Sequence, residues 1–330
     1  ARHAPEAASD TRRRPATREE RERSHVRRRR VVVVLAVAAA ILLAAVGWAV
    51  YGYFRLAHTL QAPDPQTVRE VRAVLDTPPP PSAQATSAPE YILLLGDDAR
   101  PGEKRARSDT IIIARVDVMT TKTVSLLSLP RDSRVPIDGH GLDKITHANA
   151  FGGPALAIKT VKDYTGLPIN HYVKIRFLGL SKVVDSMGGI VMNVDAAVPD
   201  YLIQKGVQRL NGTKALAFVR NRALAGGDFA RIRHQQQFLK AMAKQALQRE
   251  NVTRLPAIID SAAGNIETDM SIPQIVALAN NLRGTNTDAI PTYMIPGKGA
   301  RIGGIYYYIP DEARTASMIS EFKIGQVPAQ

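Results

Sequence analysis

The chain has no cysteine in 330 residues. Disulfides, thiol catalysis and cysteine-ligated metals are therefore excluded. Charge is missing from Val31 to Phe54, 24 consecutive residues. Large apolar residues are missing from Asp76 to Glu90, DTPPPPSAQATSAPE, which holds five prolines. Such a stretch is an extended, polyproline-like spacer that cannot pack a core. No Walker-type or kinase-type motif is present, so nucleotide-driven phosphoryl transfer has no signature here.

Positive charge is in excess, +14 overall, and unevenly spread. Residues 1–30 carry 11 arginines against 5 acidic residues and end in Arg27-Arg28-Arg29-Arg30. This block abuts the uncharged stretch, which at about 1.5 Å rise per residue crosses a hydrocarbon core of about 30 Å. Trp48, Tyr51, Tyr53 and Phe54 crowd its far end, as interfacial aromatics do. The run is too long for the apolar region of a signal peptide, and Tyr-Gly-Tyr-Phe-Arg is a poor cleavage site, so an uncleaved anchor is expected. The positive-inside rule puts residues 1–30 in the cytoplasm and the rest of the chain beyond residue 54 outside. The expected organisation is a basic disordered tail over 1–30, a transmembrane helix over 31–54, a stalk and Pro-rich linker over 55–89, and an extracytoplasmic domain over 90–330. A tail that binds DNA, as in a membrane-tethered regulator, is a competing reading, but residues 1–30 contain no helix-turn-helix or other DNA-reading pattern.

The outer part is organised around residues 91–134. Three apolar runs, Tyr91–Leu95, Thr110–Val116 and Val124–Leu129, are rich in Ile, Leu and Val and bounded by Gly, Pro, Asp or Ser. Their length and composition predict strands buried on both faces. The first ends at Asp97, Asp98 and Arg100, the second starts after Arg107 and Asp109, and the third ends at Arg131 and Asp132. If those strand ends are neighbours, carboxylates and arginines gather in one volume, a mixture suited to a metal ion beside a phosphate. Surface ion pairs at loop tips are the plain alternative.

A polar, Gly-rich loop is expected over 138–153, carrying Lys144, His147 and Asn149, then a helix over 154–164, a strand over 171–175, a helix over 178–187 and a strand over 190–194. Strands alternating with helices predict an α/β fold, a central mixed β-sheet flanked by helices. A helix over 213–219 delivers Arg220 and Arg222, and Asp228 is placed to cap a long helix over 229–250 whose first turns carry Arg231 and Gln235. Cations at a helix start oppose its dipole unless an anion is bound there, so this cluster reads as an anion site. Further helices over 255–263 and 272–282 and short strands over 293–295 and 305–308 close the chain.

G-x-D-x-R at 96–100, R-S-D-T at 107–110 and S-L-P-R-D-S-R-V at 128–135 resemble the opening of the LytR-CpsA-Psr family, and L-N-G-x-x-A-L-x-F-V-R-x-R at 210–222 with G-D-F-x-R-x-x-x-Q at 227–235 resembles its second signature. One departure is His234, where the family often has arginine. The resemblance implies an α/β sandwich and a membrane-anchored phosphotransferase, moving a glycopolymer phosphate from a polyprenyl-pyrophosphate carrier to a peptidoglycan hydroxyl. It implies Asp98 and Asp109 as Mg²⁺ ligands. For such a substrate Arg107, Arg131, Arg220, Arg222 and Arg231, with Gln235 and Lys144, are expected to hold the pyrophosphate, while Asp97, Arg100, Asp132 and Asp228 serve in ion pairs or caps. No nucleic-acid partner is expected. A phosphohydrolase that passes the group to water and a non-catalytic lipid-binding scaffold remain as alternatives.

Overall fold

The computed structural model describes residues 65–78, 88–97, 99, 103, 105–118, 121–221 and 227–325, with the side chains of Gly227 and Asp228 outside that description. All of these belong to the unit Leu56–Gln330. The basic tail, the 31–54 stretch, Asp98, Arg100 and Arg222 lie outside the described residues. Among those described, no helix is long and apolar enough to cross a membrane.

In chain order the elements are α1 (Pro65–Val74), β1 (Glu90–Asp97), β2 (Ser108–Asp117), β3 (Thr123–Ser128), β4 (Arg134–Ile137), β5 (Gly141–Lys144), α2 (His147–Thr165), β6 (His171–Arg176) and α3 (Phe177–Ser186). There follow β7 (Ile190–Val194), β8 (Gly206–Leu210), α4 (Gly212–Arg220), α5 (Gly227–Ala246), α6 (Arg249–Ser261), β9 (Ile266–Thr268) and α7 (Ile272–Asn281). The last are β10 (Thr292–Met294), β11 (Gly297–Ile302), β12 (Ile305–Pro310) and α8 (Glu312–Ile324).

Six strands form one sheet in the order β10-β3-β2-β1-β6-β9. β1, β2 and β3 are antiparallel in turn, β6 joins β1 and β10 joins β3 in parallel, and β9 closes the edge antiparallel to β6. The sheet is mixed, as expected. Alternation sends Leu93, Leu95, Ile111, Ile113 and Leu127 to one face, where Ala157, Ile158 and Val161 of α2 and Ile319 and Phe322 of α8 cover them. Ile92, Ile112, Ala114, Val116 and Leu126 face the other side, against Leu239 of α5 and Leu278 of α7. A second core joins α3, β7, β8, α4, α5 and α6 through Val184, Ile190, Leu210, Phe218, Phe238 and Ile258.

Three sequence expectations change. The packed body reaches upstream of Glu90, because α1 docks on α2: Val71 is buried, and Asp76 both pairs with Lys162 (2.8 Å) and accepts the Ile169 N–H (2.9 Å). The 138–153 loop is largely regular, since β4 and β5 form a hairpin there and α2 begins at His147. α2 is kinked at Gly153 (φ 68°, ψ −163°), and Pro154 restarts it where a missing N–H costs nothing. The long helix expected over 229–250 ends at Ala246, because Gln248 turns extended (ψ 143°) and α6 begins.

Candidate active site

The antiparallel register brings three strand ends to one edge. Gly96 pairs with Thr110 and Asp97 with Ser108, so a bulge leaves Asp109 as the extra residue between them, and Ile112 pairs with Ser128 at the end of β3. The chain beyond Ser128 carries Arg131 to the same edge. Arg131 Nη1 donates to Asp109 Oδ1 at 2.8 Å, its Nε lies 3.5 Å from Asp132 Oδ2, and Lys144 Nζ reaches Asp132 Oδ1 at 2.8 Å. Asp109, Arg131, Asp132 and Lys144 are thus one continuous, partly buried cluster, with side-chain exposures between 13 and 23%.

Backbone bonds fix this cluster. Ile145 N–H donates to Ser133 O, Thr146 N–H to Arg131 O, and Thr146 Oγ1 to Ser108 O. Asn149 Nδ2 donates to Ala106 O at 2.8 Å, so the loop carrying Arg107 is tied to the first turn of α2. His147 Nδ1 sits 2.8 Å from Asp143 Oδ2. Burial works to raise the Asp143 pKa, but the bonds from His147 and the Lys144 N–H prevail and hold it below the usual carboxylate range. Arg107 itself is exposed.

Arg231 and Gln235 lie buried in the first turns of α5. The next residue, Gln236, donates to Ser128 Oγ (2.9 Å) and Tyr293 O (3.1 Å), and Phe229 meets Tyr308 edge-on, so the start of α5 is fastened beside the end of β3. Arg220 is exposed at the end of α4, its guanidinium 5.3 Å from the ring centre of Phe177. A Cβ on Gly96 would meet that ring at 3.7 Å, which connects Arg220 to the end of β1. His234 is buried, stacked on Phe218, and 2.9 Å from Asp195 Oδ1; burial holds its pKa below the ordinary value, in keeping with a structural role.

Sequence reasoning missed several neighbours. Arg220 shares a groove of ≈ 510 Å³ with Asp200, Tyr201 and Asn221. Tyr307 lies beneath both Lys144 and Arg134, at 5.8 and 5.6 Å from its ring centre. Asp97 is buried, and burial raises its pKa against the pull of the Ala99 N–H, Lys174 and Arg176. Lys174 pairs with Glu267 at 2.5 Å across β6 and β9. Those partners come from distant segments with no shared spacing that a single sequence reveals.

A mixed sheet flanked by helices, with carboxylates and Arg131 gathered where its central strands end and further arginines on the helices beside it, defines an α/β sandwich protein. The LytR_cpsA_psr family model matches residues 56–324. The TagU of Halalkalibacterium halodurans, named polyisoprenyl-teichoic acid–peptidoglycan teichoic acid transferase, is 34% identical over 293 residues, covering 85% of this chain and 93% of that protein. The crystal structure of B. subtilis TagV superposes with a TM-score of 0.63 at 30% identity, over 73% of this chain and 99% of that one. A structure of TagT bound to LI-WTA gives 0.62 at 27% identity, over 72 and 90% of the two chains. The chain belongs to the LytR-CpsA-Psr family.

Proposed function

We propose that the protein is a membrane-anchored phosphotransferase that moves a glycopolymer phosphate from a polyprenyl-pyrophosphate carrier to a peptidoglycan hydroxyl. The observation that carries this reading is the Asp109–Arg131–Asp132–Lys144 cluster at the sheet edge of a family member whose relative is named a teichoic acid–peptidoglycan transferase. The acceptor oxygen attacks the phosphorus that bears the polymer. The anhydride P–O bond breaks, polyprenyl phosphate departs with the bonding pair, and the hydroxyl proton is lost. The anhydride supplies the driving force, so no nucleotide is required. Such a reaction depends on positioning and on charge stabilisation.

Arg107, Arg131, Arg220, Arg222 and Arg231, with Lys144 and Gln235, are assigned to the pyrophosphate. Asp98 and Asp109 are assigned to Mg²⁺, whose charge offsets that of the phosphate oxygens. The support for this assignment is the chemistry of the donors, because Mg²⁺ is ordinarily held by one or two carboxylates together with substrate phosphates. The 31–54 stretch is assigned as the anchor, with the folded domain outside the membrane.

The test follows both products. Full-length protein, Mg²⁺, a polyprenyl-pyrophosphate-linked sugar and uncapped peptidoglycan fragments should yield sugar phosphate on glycan and polyprenyl phosphate in equal amounts, and chelation should stop both. Sugar phosphate released free in solution would make the protein a hydrolase instead, and tight lipid binding without turnover would make it a scaffold.

A further inference from the structure

β11 and β12 form a hairpin with a buried base and a bare tip. Gly297–Pro310, GKGARIGGIYYYIP, contains no acidic residue. Ile302 pairs with Ile305 across Gly303 and Gly304, whose φ angles are 57° and 80°. A two-residue loop with both φ positive is the type I′ turn that suits strand twist, and glycine adopts it without strain. Every residue from Arg301 to Tyr306 is exposed, with Ile302 at 42%, Ile305 at 52% and Tyr306 at 41%. The Tyr306 ring lies across Gly299, where an added Cβ would fall 2.7 Å from the phenolic oxygen.

The base belongs to the active-site wall. Tyr308 N–H donates to Asp132 O at 2.8 Å and its hydroxyl donates to Ile295 O at 2.9 Å, while Tyr307 carries Lys144 and Arg134 over its ring. Arg301 flanks the tip, where its Nη1 braces the turn by donating to Gly304 O at 3.2 Å, and a second exposed cation, Lys298, pairs with Ile309 nearer the base. The first carboxylate after the hairpin, Asp311, caps α8 by accepting the Arg314 N–H.

Two branched aliphatic side chains on a rigid tip, a tyrosine and an arginine one position back, and a lysine further down the same hairpin are the chemistry of interfacial insertion. Aliphatic groups enter the acyl region, tyrosine sits at headgroup level, and cations meet lipid phosphates. We propose that the β11–β12 tip docks the domain onto an anionic bilayer surface, with Ile302 and Ile305 in the acyl region. The inference rests on the proposed function in one respect: a substrate delivered by a bilayer gives the docking its purpose, turning the ion cluster towards the lipid pyrophosphate.

Because the chain has no cysteine, single labels are clean. Full-length Ile302→Cys and Ile305→Cys, each carrying an environment-sensitive fluorophore, would be reconstituted in vesicles containing phosphatidylglycerol, with Val207→Cys as the control, its parent side chain being 74% exposed. No substrate is added. Labels at 302 and 305 should shift to the blue and be quenched by spin-labelled lipid several-fold more than the label at 207, less so in purely zwitterionic vesicles. Equal quenching at all three positions would overturn the proposal, as would a blue shift that depends on protein concentration and not on lipid, which would put a second copy on the tip. The paired variant Ile302→Ser with Ile305→Ser should raise KM for bilayer-embedded donor about tenfold, with kcat and the use of a short-chain soluble donor unchanged. If labels insert but no form turns over the soluble donor, the transferase reading fails and the docking stands.

Discussion

Asp132 shows how a single side chain organises the site. Its two oxygens face Arg131 Nε at 3.5 Å and Lys144 Nζ at 2.8 Å, so one carboxylate sets the spacing of two cations assigned to phosphate. In the sequence Asp132 reads only as an ion-pair residue, and its sharing between two partners is a tertiary fact. Asp109 and Arg131 were legible because strand ends next to one another must bring their flanking charges together. Gln236 was not, since a glutamine on a buried helix face looks the same whether or not it finds Ser128. Away from the site, His171 carries a pH signature. Burial alone would lower its pKa, but the hydrogen bond and charge of Asp269, at 2.5 Å, prevail and raise it. The folded pKa therefore exceeds the unfolded one, and the stabilisation is complete below about 6.5 and lost as pH rises through the folded value. The gap in urea midpoint between wild type and His171→Gln should be largest near about pH 5.5 and shrink by about pH 8. A gap that widens with pH would contradict the ion pair.

Elements were read best where the apolar pattern was continuous. The central strands and α2, α3 and α7 are close to expectation, whereas β8, β9, β11 and α8 went unread. β9 has three residues and its partner is β6, nearly 100 positions earlier, so local pattern carries little of it. In the β4–β5 hairpin Val135 and Ile137 of β4 are buried in the core, but the turn and β5 are polar and Gly-rich, which is why composition suggested a loop from residue 138 on. α1 is the informative case: residues 55–75 carry only a loose helical pattern, read as a stalk, because Val71 alone is buried, while Val74 and Leu75 pack partly on the core and Asp76 and the Lys162 bond to Val74 O complete the docking. Val71→Ala should cost about 2 kcal/mol, from two lost methyl groups and a residual cavity. A protein shortened to begin at Glu90 should lose at least as much, read as a lower urea midpoint with intact secondary structure. An unchanged midpoint in the shortened protein would mean that α1 is an ornament on the fold.

At the scale of the molecule, the site is assembled from segments more than 100 residues apart. Three consecutive strands supply the carboxylates and Arg131, and α5 brings Arg231 and Gln235 beside them through the Gln236–Ser128 bond. The late strands β10 and β9 close opposite edges of the sheet, an arrangement that element order alone does not dictate. The account stands on the claim that arginines at this edge hold a pyrophosphate during transfer, and Arg220 tests it most directly because its exposure separates function from folding. The measurement is sugar-phosphate transfer to uncapped peptidoglycan fragments by full-length protein, wild type beside Arg220→Ala, with thermal unfolding of each. The account predicts a loss of at least about 100-fold in transfer with unfolding free energies within about 0.5 kcal/mol of each other. Full turnover by Arg220→Ala would contradict it.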